Sequence, residues 1–472
     1  MSNAPTLAQQ IAQLAQRVSV DGLSPQVREA TAQRVTDALG NALGAAHLPV
    51  VDQMRAVVSG WGGNPQASVV GGPATAAPNA ALLNGTMAHA LDFDDTHLPS
   101  VLHPSASVVP AALAAAELSG ASGPELLDAI AVGIEVTCRL GMAGYDQELG
   151  NSVFFEYGLH ATSITGTIGS AVACSMLLSD SIDATMSAIG ISASMGAGLL
   201  EANRTGGTVK RIHCGWAAHG GVVAAQSATA GVTGPPTILE GRFGFLQAFL
   251  RDRVDLSAIS DGLGDQWAVE RLFIKPYPCN HFTHSGIDAA RAMKARGVDP
   301  DSIIALTLGL PTPVLRTIAE PANEKASPRS GYHAAFSGPF TVASAFYADN
   351  GLGLFHEDFT DEAASDPRRL ALAAKVSCEA NAECDAIFPY QFPAILTATL
   401  ADGSQVIEKV LANRGGPDNP LSAEELATKF TLNAHQSINE SRAQELAHTI
   451  TGLVTGESTP RSVGKLLSGE PR

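Results

Sequence analysis

Lys275-Pro276-Tyr277-Pro278-Cys279-Asn280-His281-Phe282-Thr283-His284 is where the chain changes character. Upstream, apolar residues recur at helical spacing: Leu7, Ile11, Leu14 and Val18 share one face, and Val35, Leu39 and Leu43 another. Ser24-Pro25 is a helix start, with a hydroxyl N-cap and proline at the first helical position. Ser122-Gly123-Pro124-Glu125 is a capping box ahead of Leu126, Leu127, Ile130 and Ile134. From Thr162 to Thr233 the chain is dense in Ala, Gly and Ser yet still apolar, which predicts closely packed helices. Downstream, Ser302–Leu308 (SIIALTL) and Ala394–Leu400 (AILTATL) read as strands. The second runs through Ala401-Asp402-Gly403-Ser404 into Gln405–Val410, a hairpin signal. Ser422 and Glu425 form a further capping box, after which the helical pattern returns. The expected fold is mainly α: a large all-helical domain built from both chain ends, 1–270 and 411–472, with a smaller α/β domain inserted at 271–410.

Composition agrees with a globular chain. Of 472 residues, 45% are hydrophobic and 16% charged, and Asp+Glu 46 against Lys+Arg 29 gives a net charge of −17. Such an acidic chain is a poor general partner for nucleic acid or an anionic membrane, although a few cations in one cleft can still bind a small anion. The six cysteines form no CxxC pair and lie mostly in apolar stretches, so buried free thiols in a reducing cytoplasm are expected. No secretory leader pattern and no continuous apolar run of membrane length is seen, so neither export nor a membrane span is expected.

Polar, ionisable residues concentrate in five segments: Leu91-Asp92-Phe93-Asp94-Asp95-Thr96-His97 with His103-Pro104-Ser105; Tyr157-Gly158-Leu159-His160; Lys210 to Gly220; Lys275 to His284; and Pro328 to His333. Each has a plain structural explanation. The acidic run can cap a helix, single histidines can be hydrogen-bonded core residues, and Lys210-Arg211 can be a helix-end charge pair. Tyr277, Trp216 and Cys279 can be packing residues. Asp94, Asp95, His97 and His103 also offer a divalent-metal reading, which makes a metal-dependent hydrolase an alternative, but no HExxH or comparable ligand spacing accompanies them. The G-x-S-x-G elbow, the P-loop and the Rossmann glycine fingerprint are all missing.

In order and spacing, DFDDT…HP, Gly-Leu-His, the lysine before an Ala/Gly-rich helix, KPYP…TH and the closing NPLSAEELATKF together resemble the MmgE/PrpD family over nearly the whole chain. That resemblance implies a helical domain with an α/β lid, a homodimer, and a cofactor- and metal-independent reaction on a small carboxylate substrate. The reactions it brings are dehydration of 2-methylcitrate, decarboxylation of cis-aconitate and, as an alternative, epimerisation of iminodisuccinate. It carries six positions into the site: Asp92, Thr96, His103, His160, Lys210 and His284. Two departures stand out. The stretch from Thr96 to His103 is one residue longer than in cis-aconitate decarboxylases, and HPSA replaces the HPSD of methylcitrate dehydratases.

Substrates of this kind carry carboxylates beside an acidic carbon. Lys210, with His160 and His284 if protonated, can neutralise them and stabilise the enediolate-like charge of a transition state. His103 can give or take a proton near neutral pH, with Asp92 orienting a histidine and Thr96 positioning the substrate. His103, Asp92 and Lys210 are therefore the expected catalytic residues, and Thr96, His160, Lys210 and His284 the expected substrate contacts.

Overall fold

The computed structural model describes residues 4–348 and 351–469. The chain is mainly α and divides into two compact units, Met1–Leu272 with Lys429–Arg472, and Phe273–Thr428.

In the first unit the local signals act as chemistry dictates. The Thr6 hydroxyl caps the helix Leu7–Asp21, which buries Leu7, Ile11, Leu14 and Val18. Ser24 caps Pro25–Ala45, and the Ser122–Glu125 capping box opens Gly123–Met142. Four helices, Ala77–His89, Ser105–Ser119, Gly123–Met142 and Ala161–Leu178, are buried almost along their whole length. Small residues make this possible. Where Ala77–His89 meets Val209–Thr229, a Cβ on Gly215 would stand 2.2 Å from the Leu82 carbonyl oxygen, and one on Gly85 2.9 Å from Gly215 Cα. Glycine at both positions therefore sets the crossing of the two helices that carry His89 and Lys210. The helix Ala161–Leu178 is long and apolar enough to cross a membrane, but 83% of it is buried within the protein, as a core helix is. Two short ribbons, Ala67–Val69 with Gly72–Thr75 and Tyr145–Asp146 with Asn151–Ser152, interrupt the helical run.

The second unit holds a four-stranded sheet. Its order is Val376–Ala380, Ile303–Leu310, Ala394–Leu400, Gln405–Val410; the first pair is parallel and the other two antiparallel. The expected strands form at Ile303–Leu310 and Ala394–Leu400, the first starting one residue later than expected, and the expected hairpin joins Ala394–Leu400 to Gln405–Val410. The helix His284–Ala295 packs against these last two strands. Its Ile287, Ala290 and Met293 share a core with Leu306, Leu308 and Leu396. All six cysteines are free thiols, five of them buried.

Candidate active site

The Asp-rich loop follows the helix Ala77–His89 and is fixed from behind. Phe93 is fully buried, and its carbonyl accepts from Lys429 Nζ at 3.0 Å and Asn41 Nδ2 at 3.1 Å. Lys429 Nζ also lies 2.5 Å from Asp37 Oδ1 and 3.8 Å from the centre of the Phe93 ring. With Phe93 anchored, the acidic side chains on either side go to separate partners. Asp92 takes the left-handed backbone (φ 53°), which aspartate tolerates better than most residues. Asp94 accepts from His89 Nδ1 at 2.6 Å. Asp95 accepts from the Ser105 hydroxyl at 2.5 Å and the Ser105 amide at 3.3 Å, and so caps the helix Ser105–Ser119. Burial pushes the Asp95 carboxyl up to about 7, against the opposing pull of Ser105 and Arg34.

His103 ends this loop. Its Nδ1–H donates to the Asp95 carbonyl at 2.6 Å, with Thr96 Oγ1 at 3.3 Å from the same nitrogen. A carbonyl can only accept, so the bond keeps a proton on Nδ1 and makes Nε2 the ring's exchangeable position. The long stretch before His103 folds into a closed turn, in which His97 and Leu102 pair across the loop and Val101 adopts a positive φ.

Two further helices complete the cluster. Lys210, in the first turn of Val209–Thr229, donates to Asp92 Oδ1 at 3.2 Å, and the two side chains are 11% and 13% exposed. One turn on, His213 Nδ1 lies 3.0 Å from Nδ1 of His160, the residue that opens Ala161–Leu178. Gly198 is required beside this pair. Its φ is +148°, and a Cβ there would lie 3.1 Å from His160 Cβ and 3.4 Å from His213 Nδ1. The His89 ring sits 5.8 Å from that of His103 and 5.5 Å from that of His160, which is itself 5.1 Å from His213. Four imidazoles thus run in a chain through the interior.

Burial, reinforced by the charges of His89 and Lys210, lowers His160 well below the ordinary histidine value and His213 to about 4. Both are neutral at neutral pH. Of the expected substrate contacts in the first unit, Lys210 is thus an ammonium and His160 a neutral ring.

Asp92 and Lys210 are thus paired, Thr96 and His103 share a hydrogen bond, and His160 joins them through the ring chain. His284 belongs to the second unit. There it is fully buried, and its Nε2–H donates to the Cys279 carbonyl at 3.2 Å. Its ring lies edge-on to Tyr277, whose hydroxyl donates to Asp288 at 2.5 Å and accepts from Arg291 and Arg414. The donor set Asp94, Asp95, His97 and His103 does not converge, because each member has its own partner. Among the described residues the metal-ligand atoms that do converge are those of His89, Asp94 and Cys214, within 4.8 Å of one another. There, the direct His89–Asp94 bond and a Cys214 thiol raised far above its usual value by burial describe a hydrogen-bonded pair beside a thiol.

From the sequence His89 and His213 were not singled out as site members, Asp94 was weighed only as a metal ligand, and the Lys429–Asp37 brace was not seen. A histidine closing an apolar helix five residues before an aspartate was the one available signal for the first pair.

Fold and cluster together define a mainly helical protein that gathers acid–base groups inside its larger unit. Residues 9–256 match the MmgE/PrpD N-terminal domain and residues 277–453 the MmgE/PrpD C-terminal domain; the chain belongs to the MmgE/PrpD family. Curated relatives include the cis-aconitate decarboxylase-like protein oryM of Aspergillus oryzae, 27% identical over 92% of this chain and 91% of its own. The cis-aconitate decarboxylase of Mus musculus is 28% identical over 96% and 94%, and that of Homo sapiens 31% identical over 79% and 76%.

Proposed function

We propose that the protein is a cofactor-independent lyase that removes carbon dioxide from cis-aconitate or a closely similar unsaturated tricarboxylic acid. The observation that carries this reading is His103, whose Nδ1–H is tied to the Asp95 carbonyl at 2.6 Å, in a cluster that also contains Lys210. The names of relatives that align over most of their length support it.

In such an acid, the carboxylate on the saturated carbon is one bond from the double bond. Breaking its C–C bond releases carbon dioxide, and the electron pair moves to form a new double bond. The former vinyl carbon, next to a second carboxylate, then takes up a proton. Protonated His103 delivers that proton from Nε2 and recovers one from solvent. Lys210 exchanges Asp92 for a substrate carboxylate and stabilises the charge that develops there. Thr96 and neutral His160 position the substrate by hydrogen bonds, and His284 is the remaining expected substrate contact. The working form in this reading is a cytoplasmic homodimer without metal, nucleic-acid or membrane partners.

The test is proton NMR in heavy water, after dialysis against a chelator, with cis-aconitate, 2-methylcitrate, citrate and iminodisuccinate. Loss of carbon dioxide from cis-aconitate with one deuteron gained at carbon is expected. Water lost from 2-methylcitrate would make the protein a dehydratase. Exchange into iminodisuccinate without net change would make it an epimerase, and turnover only with added divalent cation a metalloenzyme.

A further inference from the structure

The histidine at the centre of the ring chain carries none of the roles given above. His89 is 2% exposed, and its Nδ1–H donates to the Asp94 carboxylate. That bond fixes both the tautomer and the face of the ring, since a flipped ring would lose it. Its other nitrogen, Nε2, is buried and makes no hydrogen bond among the described residues. A core histidine kept for packing alone is ordinarily satisfied at both nitrogens. This one instead stands against the rings of both His103 and His160, at 5.8 and 5.5 Å. The Gly85–Gly215 crossing holds its helix close to the one that carries Lys210, His213 and Cys214.

We propose that His89, locked by Asp94, is a positioning residue that sets the ring orientations of His103 and His160. As a role in turnover, this rests on the reaction site proposed above. The role in ring orientation stands on the geometry alone.

Two variants test it. His89→Asn keeps an N–H within reach of Asp94 but removes the ring, and Asp94→Asn keeps the shape but removes the charge that holds the proton on Nδ1. Both should lower kcat by about 10- to 100-fold with KM within about three-fold of wild type. In substrate-free, ¹⁵N-histidine-labelled protein, both should also move the ring signals of His103 and His160. Unmoved ring signals would overturn the proposal, as would a raised KM with unchanged kcat. If His89→Asn does not fold, Asp94→Asn decides by the same two readouts. If the wild type turns over none of the four acids, the reaction reading fails, and the ring signals alone decide whether His89 positions its neighbours.

Discussion

Two lysine–aspartate pairs serve the same Asp-rich loop, and they are built differently. Lys429 and Asp37 stand 2.5 Å apart with side chains 1% and 2% exposed, and Lys429 also donates to the Phe93 carbonyl. Lys210 and Asp92 stand 3.2 Å apart with roughly a tenth of each side chain exposed. A fully buried pair must stay together, because either partner alone is an uncompensated charge in a dry interior. A longer pair that solvent reaches can exchange one anion for another at small cost. The first is a brace that fixes the loop, and the second, in the function proposed above, is where a substrate carboxylate takes over from Asp92.

The largest effect belongs to the brace. Lys429→Met should lower unfolding stability by about 3–5 kcal/mol in urea titrations, and adding Asp37→Leu should recover much of it. A single variant as stable as wild type would remove the distinction between the pairs. Lys210→Ala should instead leave stability within about 1 kcal/mol of wild type. It should lower kcat/KM by roughly 10- to 100-fold, with KM and kcat both affected, the loss of a charge-assisted contact. Unfolding of Lys210→Ala with normal substrate affinity would make it a second brace.

A smaller effect separates the buried acid of the loop from the histidines near it. Asp95, raised from 3.8 to about 7 by burial, keeps its proton in the folded chain where the unfolded chain has lost it. Its contribution to stability therefore falls as pH rises through that window. His97 and His213, lowered from 6.5 to about 4, act the other way, and their contribution is lost as pH falls through theirs. In wild type the two trends oppose each other. Asp95→Asn removes the opposing trend that Asp95 contributes, so its acid destabilisation should be steeper, by up to about 1.4 kcal/mol per pH unit. Parallel stability curves for the two proteins between pH 4 and 6.5 would show that folded Asp95 does not hold its proton through this window.

What the sequence showed and what it hid divide by distance along the chain. Ser24-Pro25, Ser122 with Glu125, and Ser422 with Glu425 were legible because each cap closes within three or four residues. The strands at Ser302–Leu308 and Ala394–Leu400 were legible from their apolar β-branched runs. The parallel strand Val376–Ala380 was not, since it is short and mostly solvent-facing and so lacks an apolar alternation. In the site, the DFDDT…HP pattern pointed to Asp92, Thr96 and His103. The His160–His213 contact and the Lys429–Asp37 brace were hidden, because helix crossings and the return of the chain's end create them. The glycines that set one of those crossings, Gly85 and Gly215, read in sequence only as small residues.

In the proposed reaction His103 moves the proton while Lys210 holds the anion. Calorimetric affinity for cis-aconitate beside kcat for His103→Ala tests it most directly. Near-normal affinity with kcat lowered by about 10²–10⁴-fold is expected. Near-normal turnover with collapsed affinity would contradict it, and would make His103 a substrate anchor with the proton coming from elsewhere.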